Sequence, residues 1–342
     1  MTKDSTQTSA IAKPRHTVNR PSGSVVAQSL EQALDSGRQG PHVVAIGGGK
    51  GLASALEAVL RYAGRIDAIV TVADDGGSSG RLAPGLDIPP PGDIRKCLIA
   101  LAPEDSVWRR LFEHRFAGAD VSGHSMGNLL IAALADMEGD FRSALRAAER
   151  LLETVGSVIP VSPNRLRIEA VVDGRQVVGQ VDLALSRGKV EEMVLTPDPV
   201  VPSEEALEAI SRADQIVVGP GSLYTSLLAT LLVPGIAEEI NRAQGRLIYV
   251  ANLSTQDGET LGMDCADHLD ALIAMSGIRP PAAIVANETS VAFPPPLTAL
   301  HADAEVLATY GVDVVFGDLV QNTAAVPRHD PVRLGGVLAR LI

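Results

Sequence analysis

The sequence predicts an α/β fold: a Rossmann-like, mostly parallel sheet with helices on both faces and a small antiparallel β insert. Three observations carry this reading. Short apolar runs lead repeatedly into loops of Gly, Ser, Asp and Asn. Apolar residues make up 46% of the 342 residues but aromatics only 3%, so the core is built from Val, Leu, Ile and Ala. That suits strands buried on both faces. Only residues 156–200 change texture, alternating apolar and polar residues as antiparallel strands with one wet face do.

Residues 1–40 read as a disordered tail with a short helix at Ser29–Asp35, and no apolar stretch there resembles a secretory signal. The structured domain is 41–342. A strand (His42–Ile46), a helix (Leu52–Tyr62) and a second strand (Ile66–Val72) open it as a βαβ unit, with a right-handed crossover expected. A long loop follows through Leu82–Pro91. Helices are expected at Asp93–Leu101, Asp105–Phe116, His124–Met137 and Asp140–Leu152. In the 156–200 insert, Asp173-Gly174 marks a hairpin turn. Helix Ser203–Arg212 starts with Ser203 as N-cap and with Glu204 and Glu205 in its first turn, which suits the helix dipole. Strands at Gln215–Val218, Leu247, Ala283 and Val312 and a helix at Pro331–Ile342 complete the domain.

The charge balance narrows the function. The net charge is −12, and residues 1–40 carry five Lys/Arg against three Asp/Glu, which leaves −14 on the rest. A chain this acidic is not suited to nonspecific nucleic-acid binding, which relies on basic surface. No apolar run reaches the roughly 18 residues of a membrane span, and Leu129–Leu134 and Leu227–Val233 fit buried helices. Of the two cysteines, Cys97 keeps helical spacing with Ile94, Leu98 and Leu101 and reads as buried. Without a CxxC pair or a disulfide framework, a reducing cytoplasm fits.

The carboxyl ends of parallel strands share one edge, where α/β proteins bind ligands. Five loops therefore converge on one expected site. In the first, Gly47, Gly48, Gly49, Lys50 and Gly51 let backbone approach a ligand and aim helix amides at an anion. This is neither a P-loop nor the dinucleotide fingerprint. The P-loop would need Gly at Val44 and Ser or Thr at Gly51, and the fingerprint would need Gly at Leu52. In the second, Asp74 and Asp75 precede Gly76, Gly77, Ser78 and Ser79. Either carboxylate could bind a ribose hydroxyl or a metal, take a proton, or only cap a solvated turn. Arg81 follows, placed to pair with a phosphate.

PPPGDIRKCL puts Asp93 in capping position and Arg95 and Lys96 in a first turn, where cations oppose the helix dipole. Either an anion or solvent would offset that. GHSMG matches the nucleophile elbow at Ser125, but no strand precedes it, so a helix start with His124 and Asn128 on one face is favoured. The loop Gly219, Pro220, Gly221, Ser222 repeats the phosphate-loop pattern, with Tyr224 and Thr225 in the next turn. Asn252, Thr255 and Gln256 are candidates to read a base or sugar. Asp264 and His268 are spaced as a metal pair, yet with no third ligand a solvated helix face is favoured.

Together IGGGKGL, TVADDGGSSGRL, PPGDIRKCL, GHSMGNLL, GPGSLYTS and NLSTQDGET resemble the YvcK family, the bacterial gluconeogenesis factor proteins within the CofD-like superfamily. The resemblance runs from Pro41 to the C-terminus. It implies a Rossmann-like, cytoplasmic protein that binds UDP-sugars, UDP-N-acetylglucosamine above all. It also implies a regulatory role linking gluconeogenic carbon metabolism to peptidoglycan precursor supply and cell shape. The Gly47–Gly51 and Gly219–Ser222 loops would hold the diphosphate, and Asp74, Asp75, Asn128 and Asn252 the ribose, sugar or uracil. The expected partners are the UDP-sugar, a protein of amino-sugar or wall synthesis and further copies of the chain, without nucleic acid or membrane. No cofactor is expected in that branch. The other branch, 2-phospho-L-lactate transferase, uses a nucleotide-activated donor and Mg²⁺, which would make Asp74 and Asp75 catalytic candidates. It carries a different segment where this chain has PPGDIRKCL. Lys50 departs from the Thr expected in the family's glycine loop.

Overall fold

A computed structural model describes residues 38–118, 121–321 and 327–342. The tail and its expected helix at Ser29–Asp35 lie outside the described residues. Twelve strands are formed among them, the last two a short pair: β1 (His42–Gly47), β2 (Arg65–Val70), β3 (Ser157–Pro160), β4 (Arg167–Val172), β5 (Arg175–Val178), β6 (Val190–Thr196), β7 (Gln215–Val218), β8 (Arg246–Val250), β9 (Ala283–Asn287), β10 (Asp313–Gly317), β11 (Val320–Gln321) and β12 (Arg328–His329). Seven form one parallel sheet in the order β10-β9-β8-β7-β1-β2-β3. β1 lies inside it between β7 and β2, with Ile46 beside Ile69 of β2 and Val218 of β7. Val43 to Ile46 are fully buried, which explains why these strands read as continuous apolar runs rather than alternating ones. Each such Val or Ile side chain contributes about 1.5–3 kcal/mol by leaving water.

The helices are α1 (Gly49–Val59), α2 (Gly77–Leu86), α3 (Pro91–Leu101), α4 (Val107–Glu113), α5 (Met126–Glu138), α6 (Phe141–Leu152), α7 (Gln180–Leu185), α8 (Glu204–Arg212), α9 (Ala229–Leu231), α10 (Ile236–Arg242), α11 (Cys265–Ser276), α12 (Ala304–Ala308) and α13 (Pro331–Leu338). A π-helical turn, Leu223–Leu228, runs directly into α9. On one face of the sheet α1 packs against α3 and α13; on the other α8 packs under β1 and β3 and against α10. Gln215 fastens the last helix to the sheet, donating to the Leu338 and Leu341 carbonyls and accepting from the Tyr62 hydroxyl. No single helix among the described residues is long and apolar enough to cross a membrane.

The antiparallel insert exists, with β4 between β5 and β6. Asp173 (φ 48°) and Gly174 (φ 71°) supply the two positive φ angles of a two-residue hairpin turn. Its boundary differs from the expected 156–200. Ser157–Pro160 is fully buried and pairs in parallel with β2, so the antiparallel sheet runs only from Arg167 to Thr196. Four buried residues are too few to show a period. The expected loop at Leu82–Pro91 is also shorter, because α2 starts at Gly77 and extends to Leu86. His268 is not on a solvated face. It is fully buried and bonded to the Tyr249 hydroxyl at 3.0 Å. Asp264 instead caps α11, accepting from the Ala266 and Asp267 amides. Cys97 is buried as expected, and burial pushes its thiol pKa up.

Candidate functional site

The strand order reverses direction between β1 and β7. From β1 the chain moves to β2 on one side; from β7 it moves to β8 on the other. Such a switch point opens a crevice at the carboxyl edge. Here it is a cavity of about 830 Å³, bounded by the β1 loop (Gly48–Gly51), the β7 loop (Pro220–Ser222), the β8 loop (Asn252–Gln256) and the Arg328–His329 strand.

The β1 loop is built for close backbone approach. Gly49 adopts φ 68°. A Cβ on Gly48 would come within 2.7 Å of the Asp93 carboxylate, and one on Gly51 would collide with the Pro220 carbonyl. Asp93 does not cap its own helix, as its position suggests; Pro90 is the N-cap and Pro91 fills the first turn. Its carboxylate instead accepts the Gly49 amide at 2.7 Å and the Lys96 ammonium at 2.7 Å. Beyond Gly49, the first turn of α1 has no side-chain cap and no acidic residue, so the Lys50 and Gly51 amides remain available to an anion.

The β7 loop is held from the opposite wall. Asn252 accepts the Gly221 amide at 3.0 Å and donates to the Gly221 carbonyl at 2.8 Å. Gln256 donates to the Ser222 hydroxyl at 2.9 Å. The next turn, with Tyr224 and Thr225, is occupied from within the chain. The Glu259 carboxylate accepts from the Tyr224 and Thr225 amides at 3.2 and 3.5 Å and from the Thr225 hydroxyl at 2.8 Å. Burial raises the pKa of Glu259. Thr255 is buried, paired with Thr298, and does not line the cavity.

Lys50, Lys96 and Arg328 line the cavity beside Glu57, whose pKa is raised by burial, and Lys96 is itself paired with Asp93. In a chain of net charge −12, this local cationic excess suits an anionic ligand. Among the described residues, two acceptors in the cavity wall have no partner: Gln256 Oε1 and His329 Nε2. Burial pushes His329 down to about 4, so it is neutral at physiological pH. Arg328 and His329 carry no motif, and their β12 strand is two residues long, so nothing local in the sequence marks them as site residues.

The loop after β2 does not enter this cavity. Asp74 accepts the Gly76 amide at 3.0 Å and lies near Ser79 and Gly92; burial, then Asp93, raises its pKa. Asp75 turns away. Its two oxygens accept the Gln180 and Val181 amides at 3.0 and 3.1 Å, capping α7 of the insert. The two carboxylates therefore have different partners, and among the described residues no group of three His, Cys, Asp or Glu is placed to hold a metal ion. Ser125 is the buried N-cap of α5, accepting the Asn128 amide, which explains GHSMG without a nucleophile. His124 lies outside that helix, yet His124 and Asn128 meet as expected, because both bond the Ser78 hydroxyl, at 3.0 and 3.1 Å. Arg95 donates to Asn128 at 3.0 Å, and Arg81 to the Ser122 carbonyl at 3.2 Å. The expected site residues thus fall into two hydrogen-bonded groups, one lining the switch-point cavity and one around Ser78.

Against known proteins, residues 43–320 match the family of 2-phospho-L-lactate transferase CofD. The chain is 45% identical over 239 residues to the gluconeogenesis factor of Halalkalibacterium halodurans, covering 69% of this chain and 74% of that one. It is 38% identical over 315 residues to the Bacillus subtilis gluconeogenesis factor, covering 89% and 99%. The fold superposes on a crystal structure of a UPF0052 family member from Bacillus halodurans with a TM-score of 0.84 at 37% identity, covering 88% and 99% of the two chains.

Proposed function

This chain belongs to the CofD family, with gluconeogenesis factors among its relatives, and from that premise we propose that it is a UDP-sugar-binding regulatory protein. The observation that carries the proposal is the switch-point cavity, where two glycine-bearing loops meet under Lys50, Lys96 and Arg328. A diphosphate fits there because its charge needs amides and cations together. The unpartnered acceptors Gln256 Oε1 and His329 Nε2 call for hydrogen-bond donors, which a ribose or an N-acetylglucosamine supplies through its hydroxyls. UDP-N-acetylglucosamine has both ends. The names of the relatives tie the role to gluconeogenic carbon supply, and a UDP-N-acetylglucosamine ligand ties it to peptidoglycan precursors and cell shape. Such a protein would be cytoplasmic, would act through a protein of amino-sugar or wall synthesis, and would assemble with copies of itself.

Calorimetric titration with UDP-N-acetylglucosamine and with GTP, with and without Mg²⁺, followed by product analysis, tests this. Binding of the UDP-sugar with the ligand recovered intact supports the sensor. Preference for GTP, or a Mg²⁺-dependent product, replaces it with a transferase of the kind named by the matching family.

A further inference from the structure

A second cavity, of about 720 Å³, lies between the start of β6 in the insert and α11. None of the residues lining it lines the switch-point cavity. Its volume is that of a small-molecule site. Tyr224 and residues of the 258–263 segment complete the lining. That segment is held in place: Gly258 adopts φ 90°, and a Cβ on it would collide with the Ala184 carbonyl of α7. Tyr224 shows that a ligand belongs here. It is 5% exposed, yet among the described residues its amide bonds Glu259 and its hydroxyl bonds nothing. A buried tyrosine hydroxyl ordinarily has a partner. Its phenol stands near two carboxylates, Glu259 and Asp267, which raise its pKa after the effect of burial.

The charges around that hydroxyl call for a cation. Asp173 and Glu191 line the cavity from the insert, and Asp267 and Asp270 line it from α11. Each uses one carboxylate oxygen within the chain. Asp173 accepts the Lys189 amide, Glu191 the Gly174 amide, Asp267 the Asp264 amide and Asp270 the Tyr310 hydroxyl. The other oxygen of each takes no hydrogen bond among the described residues. Of the two cations in the lining, Arg187 is paired at 2.7 Å with Asp257, which lies outside it. Lys189 is left against the four carboxylates. Val190, Met263, Ala271 and Met275 add apolar surface. An ammonium on an aliphatic stem matches both features, its head meeting the free oxygens and its methylenes the apolar side chains.

We propose that this cavity binds an aliphatic polyamine, a small molecule with ammonium groups along an apolar chain. One ammonium sits by Asp267 and donates to the Tyr224 hydroxyl. A second reaches the carboxylates of the insert, and the methylenes lie on Met263, Ala271 and Met275. The site is separate from the nucleotide cavity and goes beyond the UDP-sugar reading.

Calorimetric titration of the full chain with spermidine at constant ionic strength tests it. Saturable binding is expected, weakened at least ~10-fold in Asp270→Asn and in Tyr224→Phe. Tyr224→Phe removes only an unpartnered hydroxyl, so urea unfolding should show its stability unchanged. Asp270→Asn should leave UDP-N-acetylglucosamine affinity unchanged. No binding, or binding indifferent to both substitutions, would overturn the site. Displacement of spermidine by an equal concentration of Mg²⁺ would also overturn it, as the mark of a surface that merely gathers cations. Tighter binding of acetyl-trilysine amide, which matches spermidine in charge, would overturn it in favour of lysines on a partner protein. None of these outcomes depends on whether UDP-sugars bind.

Discussion

Gly51 touches the Pro220 carbonyl so closely that no side chain fits between them. This contact joins the β1 and β7 loops across the switch point and sets the width of the cavity floor. Gly51→Ala should therefore force the loops apart, lowering stability by about 1–3 kcal/mol and weakening UDP-N-acetylglucosamine binding. Gly49→Ala is the control: its Cβ would meet nothing within 4 Å, so only the φ of 68° is strained, at about 1–2 kcal/mol. Denaturant unfolding and calorimetry on both variants check this. Equal losses of affinity would refute a role for the Gly51–Pro220 contact.

Arg328→Gln keeps the length and some hydrogen bonding of the side chain but removes one cation from the cavity wall. UDP-N-acetylglucosamine affinity should fall ~10-fold or more, and its salt dependence should flatten. Unchanged affinity at low and high salt would remove Arg328 from the site.

The sequence announces some of this site and conceals the rest for identifiable reasons. The glycine loops at Gly47–Gly51 and Gly219–Ser222 are legible because backbone approach and positive φ leave few residue choices. The sheet is legible because fully buried strands appear as apolar runs. What a carboxylate faces is not legible. Asp75 stands in the DDGGSSG motif beside Asp74, yet its partners are the amides of Gln180 and Val181, about a hundred residues further on. Glu259 likewise caps a turn some 35 residues before it. Tertiary pairing at such separations leaves no local period, which is also why Arg328 and His329 escape notice.

The Asp75 geometry makes its own prediction. Asp75→Ala removes the cap of α7 and should lower stability by about 0.5–2 kcal/mol, while UDP-N-acetylglucosamine affinity stays within about twofold. Hydrogen exchange should quicken at Gln180 and Val181, because their amides lose their acceptor. A large loss of affinity with no change in exchange would return Asp75 to the ligand site.

Acid should destabilise the fold through its buried histidines. Burial pushes His268 and His329 each down to about 4, against about 6.5 in an unfolded chain. Below 6.5 the unfolded chain takes up the proton and the folded one does not. The stability that each ring contributes is therefore complete above about pH 6.5 and is lost as pH falls toward 4. In that window each ring adds up to roughly 1.4 kcal/mol per pH unit. The buried carboxyls Glu149 and Glu259, with raised pKa values, act in the opposite sense, so the total slope is a difference. Urea unfolding of the native chain and of His329→Gln between pH 4.5 and 7.5 isolates one ring. The variant should lose less stability on acidification than the native chain. Parallel stability curves would show that His329 takes up its proton equally in the folded and unfolded states, and that its burial in the cavity wall does not hold it neutral.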